Sequence, residues 1–225
     1  MLTRLEYLFE KKVTKLKDKT VLIIGLGGVG SYALESIVRS GIGRVIIVDN
    51  DVVDITNLNR QLLALRSNIG LKKVDIAQSR ILDINQNCKI LKIDAFITKN
   101  NISLLFEHNI DYVIDAVDTI ETKKEIIKYC LKHKIKFISS MGTGNKIFPT
   151  MLEIVDIRKT SYDPIAKIIR KMVNDLNIKD KVMVVCSKEE PLIKGKIGST
   201  SYVPSVAGLL LASYVINDIM SDKND

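Results

Sequence analysis

The sequence predicts a doubly wound α/β fold, a mostly parallel sheet with helices on both faces and an antiparallel C-terminal extension. Two observations carry this expectation. Through the first two thirds of the chain, short apolar runs alternate with segments whose apolar residues recur every three or four positions. The first run, Val21 to Ile24, leads directly into Gly25, Gly27, Gly28 and Gly30, the kind of junction where a buried strand turns tightly into a helix.

Strands are expected at 20–25, 44–49, 88–94, 111–117 and 136–141. Between them, Val74, Ala77, Ile81 and Ile84, and then Ile126, Ile127, Cys130 and Leu131, mark the inner faces of helices. After GTGNKIFPT the texture changes to a strand MLEIVDI, a helix DPIAKIIRKMVNDL and a strand KVMVVCS, where the strand direction should reverse. EEPLIKGKIGSTSY lacks apolar periodicity and is expected to be a mobile loop near the site or a crossover. A helix from about Pro204 to Ile219 closes the fold. With 225 residues, 46% hydrophobic and 27% charged, the chain can bury one sizeable core. It is expected to form a single domain over 1–225, with a nucleotide-binding part (1–145) and a C-terminal elaboration (146–225).

Thirty-four Lys plus Arg against 26 Asp plus Glu give a formal charge of +8. That balance suits a polyanion such as RNA, although lysines kept for solubility give the same balance. Cys88, Cys130 and Cys186 are isolated, so neighbouring positions build neither a disulfide framework nor a CxxC zinc pair, and a reducing cytoplasm fits. MLTRLEYLFEKK lacks the apolar core of a signal peptide, and VPSVAGLLLASYVI, broken by Pro204 and serines, is expected to be a buried helix rather than a membrane span.

The glycine turn directs helix N–H groups at a phosphate, and Asp49, ending the second strand, is placed to accept hydrogen bonds from ribose hydroxyls. These features alone fit NAD as well as ATP, because GxGxxG is common. DNDVVDITNLNRQ adds Asp51, Asn57, Asn59, Arg60 and Gln61 just beyond that strand, a polar cluster that an NAD fold does not usually need. Asn and Gln supply paired donors and acceptors, and Arg60 supplies a planar fork for phosphate oxygens. Lys73 in IGLKKVD and Asp118 in VIDAVDTIETK complete the set: a lysine to neutralise an α-phosphate and a carboxylate for Mg²⁺ at the carboxyl end of a strand. Taken singly, each reads more simply as a surface lysine and a capping aspartate. Cys186 near Lys188 invites a sulfur-accepting role, but the alternation in KVMVVCS favours a packed strand thiol, and His108 and His133 read as surface residues.

GLGGVGS, DNDVVDITNLNRQ, IGLKKVD and DAVDTIETK, in that order, resemble the ubiquitin-activating-enzyme-like superfamily of ATP-dependent adenylyltransferases over about Arg4 to Asn217. The resemblance implies that Gly27, Gly28, Asp49, Asp51, Asn57, Arg60, Gln61 and Lys73 contact ATP, that Asp118 carries magnesium, and that Arg4 reaches the ATP of a second subunit in a homodimer. Members acting on ubiquitin-like proteins usually carry two CxxC pairs, which this chain lacks. GTGNKIFPTMLEIVDI, TSYDPIAKIIRKMV and GSTSYVPSVAGLLLASYVI are instead similar to the tRNA threonylcarbamoyladenosine dehydratase branch. That likeness implies a tRNA substrate, a modified adenosine next to the anticodon, whose carboxylate is adenylated with release of pyrophosphate and then attacked by ring closure within the same side chain, which expels AMP and needs no protein nucleophile. A monovalent cation ordering a loop and a cysteine-desulfurase-linked sulfur-relay partner are further candidates it raises. The alternatives are an adenylyltransferase for a ubiquitin-like sulfur carrier, an NAD-dependent oxidoreductase, and a binding module without catalysis.

Overall fold

The computed structural model describes residues 1–193 and 195–221; Lys194, within the expected loop, and the last four residues, which end the expected domain, lie outside the described residues. The run of β-branched and aliphatic residues in β1 (Thr20–Ile24) is buried along its whole length, as a strand covered on both faces must be. From β1 the chain passes through α2 (Gly30–Arg39) to β2 (Arg44–Val48), and through α3 (Lys73–Ile84) to β3 (Lys89–Ile93). It then returns to the other side of β1 with β4 (Tyr112–Asp115), α4 (Ile120–His133) and β5 (Lys136–Ser140). The strand order is β3-β2-β1-β4-β5-β7-β6, where β6 is Leu152–Asp156 and β7 is Met183–Ser187. Because the winding changes direction between β1 and β4, a crevice opens at their carboxyl ends.

The first five strands and β7 run parallel; β6 pairs antiparallel with β7, Leu152 opposite Ser187 and Asp156 opposite Met183. The expected reversal after GTGNKIFPT is thus an added sheet edge. Side chains alternate across the sheet with period two. Val21 and Ile23 join a core with residues of α2, α3 and α6 (Tyr202–Ser221), while Leu22 and Ile24 join a second core under α4 and α5 (Pro164–Asp175).

Among the described residues α6 alone is long and apolar enough to cross a membrane, yet it packs along α2 and over β5. The α2–α6 approach is close: a Cβ on Gly208 would lie 2.2 Å from the Val29 carbonyl oxygen. The N-terminal segment was not among the expected elements. Its helix α1 (Thr3–Phe9) buries no residue, and a 3₁₀ stretch, Glu10–Asp18, anchors the segment to the core through Val13 and Leu16. The expected strand 111–117 ends at Asp115, whose own Oδ1 accepts the Val117 N–H at 3.1 Å and turns the chain out of the sheet.

All three cysteines are free and buried, Cys130 and Cys186 in the core under α4 and α5. Burial pushes the Cys88 thiol up to about 11 and those of Cys130 and Cys186 up to about 12. Cys186, 2% exposed in β7, is the packed strand thiol expected from the alternation in KVMVVCS, and its raised pKa disfavours the thiolate that a sulfur acceptor needs. Native protein treated with iodoacetamide at pH 8 should therefore show no Cys186 adduct by mass spectrometry until denaturant is added. Labelling at the rate of an exposed thiol would contradict this packing.

Candidate active site

The glycines have different reasons to be glycine. Gly25 sits at φ +90°, and a Cβ there would meet the Ala116 carbonyl oxygen at 2.8 Å; on Gly30 it would lie 1.8 Å from the Gly25 carbonyl oxygen. Both let backbone pass backbone where β1 enters α2. At Gly28 a Cβ would touch Arg60 Cγ and Pro204 Cβ at 3.3 Å, a tight but yielding fit. At Gly27 it would meet nothing nearer than Gln61 Nε2 at 3.8 Å, so the protein itself does not require a glycine there. Gly27 faces an open cleft of about 1290 Å³, and its missing side chain leaves room for a ligand to approach the backbone.

Asp49 locks this turn. Its Oδ2 accepts the Leu26 N–H at 2.6 Å and its Oδ1 the Asp51 N–H at 2.8 Å, leaving each oxygen a further lone pair toward the cleft. Burial raises the Asp49 pKa above its ordinary value, against the pull of those N–H groups and of the Lys73 charge. Lys73, its side chain almost fully buried at the start of α3, delivers its ammonium to Asp51 Oδ2 at 2.7 Å at the cleft wall.

The loop bearing the polar cluster is built around Asn57. Asp54 caps its 3₁₀ turn and Asn57 Oδ1 accepts the Asp54 N–H, while the Asn57 carbonyl receives the N–H groups of Arg60 (3.1 Å) and Gln61 (2.9 Å). Arg60 Nη1 donates to the Thr56 carbonyl and to Asn59 Oδ1 at 3.0 and 2.9 Å, and no carboxylate pairs with it among the described residues. Gln61 is buried beside Gly27, and its Oε1 has no hydrogen-bond partner, the one such side-chain atom among the described residues. A buried, unpaired polar atom at the wall of a cleft is the mark expected of a site that a polar ligand completes. Asp118, exposed at the cleft beyond β4, makes no hydrogen bond among the described residues. Its carboxylate is free for a cation.

Gly25, Gly27, Gly28, Asp49, Asp51, Asn59, Arg60, Gln61, Lys73 and Asp118 therefore line one cleft. Asn57 and Gly30 are not among its lining: Asn57 supports the loop from within and Gly30 packs under the turn. Arg4 lies on the exposed helix α1 and is likewise not part of the cleft of its own chain.

Other groups were not legible in the sequence. Beneath Ala116, the buried Asp115 carboxylate receives Lys123 Nζ at 2.7 Å and Ser139 Oγ at 2.5 Å, bracing the ends of β4 and β5. On the far wall, buried Lys146 donates to the Gly142 carbonyl oxygen at 2.9 Å and pairs with Asp163 at 3.3 Å. Asn145, at φ +59°, ties the expected mobile loop down: it donates to the carbonyls of Ile193 and Lys196 and accepts the Gly198 N–H at 2.6 Å. From the other side, Asn59 donates to the Ser199 carbonyl at 3.1 Å.

The sequence profile of the ThiF family matches residues 2–223. The chain belongs to the ThiF family. Among characterised relatives, a Bacillus subtilis tRNA threonylcarbamoyladenosine dehydratase is 44% identical, covering 92% of this chain and 89% of that protein. The Escherichia coli protein of the same description is 38% identical over 79% of this chain and 68% of its own length. The crystal structure of E. coli tRNA N6-threonylcarbamoyladenosine dehydratase, TcdA, in complex with ATP superposes with a TM-score of 0.91 at 34% identity, covering 96% of this chain and 92% of that one; an AMP complex matches equally well. Close homologues of this ThiF-family chain are thus enzymes that bind ATP and act on tRNA.

The two kinds of glycine make separable expectations. Gly27→Ala should leave thermal stability within about 1 kcal/mol of wild type and weaken ATP binding by at least tenfold in a calorimetric titration. Gly30→Ala should fail to give folded protein. A Gly27→Ala protein that binds ATP as tightly as wild type would place the nucleotide elsewhere.

Proposed function

We propose that this protein dehydrates threonylcarbamoyladenosine in tRNA at the expense of ATP. What supports the proposal is the convergence of the open Gly27 face, the unpaired Arg60, the buried Lys73 and the free Asp118 on one cleft, in a chain similar over nearly its whole length to an ATP-bound dehydratase. The chemistry follows from what a carboxylate lacks, a leaving group. Attack of the substrate carboxylate on the α-phosphorus forms an acyl adenylate and releases pyrophosphate. A nucleophilic atom of the same side chain then closes the ring and expels AMP, so that water is lost in net terms and no protein nucleophile is required.

Each side chain then has a task. Asp49 holds the ribose, and the N–H groups at the start of α2 face the phosphates. The Arg60 fork and the Lys73 ammonium stabilise charge that grows on the α-phosphate oxygens during attack. Asp118 is the carboxylate suited to hold Mg²⁺, which when bound neutralises triphosphate oxygens.

A homodimer fits the surface. Val52, Ile55, Leu65, Ile69 and Leu71 stand exposed around the polar loop, and α1 packs against its own core only through Leu5 and Phe9 while leaving Tyr7 and Leu8 exposed. In such a pair Arg4 would approach the second subunit's ATP. The reaction needs no sulfur-relay partner, and the three unpaired thiols suit a cytoplasmic setting.

Nucleoside mass spectrometry of tRNA incubated with ATP and purified protein should show the open threonylcarbamoyl nucleoside replaced by a product lighter by one water. Arg60→Ala should lower kcat/KM by about a hundredfold or more. Persistence of the open nucleoside with the wild-type protein would overturn the proposal.

A further inference from the structure

Beyond the nucleotide, the cleft continues over the carboxyl ends of β5 and β7. Its volume of about 1290 Å³ exceeds the roughly 300–1,000 Å³ of a site for one small ligand. The half toward β2 and β3 holds Asp49, Lys73 and the exposed Phe96; the opposite half is walled by Met141, Thr143, Lys146, Tyr162 and Ile165. Tyr162 is the unusual member. It is 59% exposed, and its φ is +57°, in the left-handed region that bulky residues avoid. The Asp163 N–H donates to the Ser161 carbonyl oxygen at 2.7 Å across it, a tight three-residue turn of the rare positive-φ kind.

Neighbouring contacts hold this turn in place. Asp163, buried, caps α5 by accepting the Ala166 N–H at 2.7 Å and pairs with buried Lys146, which in turn grips the Gly142 carbonyl oxygen. A Cβ on Gly142 would lie 2.4 Å from Asp163 Oδ2, so the two segments are in close contact. The surroundings therefore impose a backbone conformation that the tyrosine itself disfavours, and its ring stands out over the cleft instead of packing in the core. An aromatic ring held out at a pocket wall is the surface on which proteins stack bases splayed from RNA.

We propose that Tyr162 is the stacking platform for the substrate nucleobase, and that the half of the cleft under it receives the modified adenosine once it has swung out of the anticodon loop. This rests on the dehydratase function proposed above and adds to it the place and the contact. The layout has a chemical logic. The nucleotide enters from the β2–β3 side and the base from the β5–β7 side, so the side-chain carboxylate borne by that base reaches the phosphates between Arg60 and Asp118.

The test compares Tyr162→Phe, which keeps the ring, with Tyr162→Asn, which removes it while tolerating positive φ. Binding of a synthetic anticodon stem-loop RNA to ATP-saturated protein is measured alongside ATP affinity and turnover on modified tRNA. Tyr162→Asn should weaken stem-loop binding and raise the KM for tRNA by roughly tenfold or more, with ATP affinity unchanged and Tyr162→Phe close to wild type. Stem-loop binding by Tyr162→Asn within twofold of wild type, an equal loss in Tyr162→Phe, or a parallel loss of ATP affinity would each overturn the platform. Wild-type protein that binds the stem-loop but leaves the modified nucleoside unchanged would overturn the dehydratase function instead, and the stem-loop titrations would still decide the role of Tyr162.

Discussion

The site depends on one constraint: three stretches of backbone must pass within contact distance where β1 ends. Gly25 lies against the Ala116 carbonyl, and Gly30 lies against the Gly25 carbonyl. With any side chain at these two points, α2 could not start where it does. Its N–H groups would not face the crevice, and the gap between β1 and β4 would lose the form of an anion-binding turn. The other groups are placed relative to this turn. Asp49 is bonded to Leu26 N–H and Asp118 follows the strand that Gly25 touches, while Arg60 and Gln61 lean over Gly28 and Gly27.

Electrostatics in the cleft is arranged in layers. Among the described residues two ion pairs are wholly buried, Lys123 of α4 with Asp115 of β4 and Lys146 with the α5 cap Asp163, and removal of either partner would leave an uncompensated charge in the interior. They brace the walls. The groups lining the cleft are left incompletely satisfied: Arg60 has only carbonyl and amide acceptors, Asp118 has no partner, and Gln61 Oε1 is orphaned, all among the described residues. A polar cleft rigid beneath and unsatisfied at its surface is preorganised for a charged ligand, so little reorganisation accompanies binding.

Much of this was legible in the sequence because its physics is local. Strand periodicity, the glycine spacing and a carboxylate at the end of β2 are fixed by neighbouring residues, and they point to the sheet and to the glycine-lined half of the cleft. The braces were not legible. Asp115 meets Ser139 because β4 and β5 are in register, Lys123 joins them from α4 packed over the sheet, and Lys146 meets Asp163 because the chain doubles back after β6. Asn57 belongs to the same polar motif as Arg60, but a 3₁₀ turn too short to read from periodicity buries its side chain in the loop. Tyr162 could not be read from the sequence, because a positive φ at a non-glycine residue leaves no mark there.

The most direct measurement of the central claim, that this cleft activates a tRNA carboxylate with ATP, is exchange of labelled pyrophosphate into ATP. Exchange should appear with tRNA carrying threonylcarbamoyladenosine and be absent with tRNA lacking the modification. Absence of exchange with the modified tRNA, or exchange supported only by a ubiquitin-like protein, would contradict it.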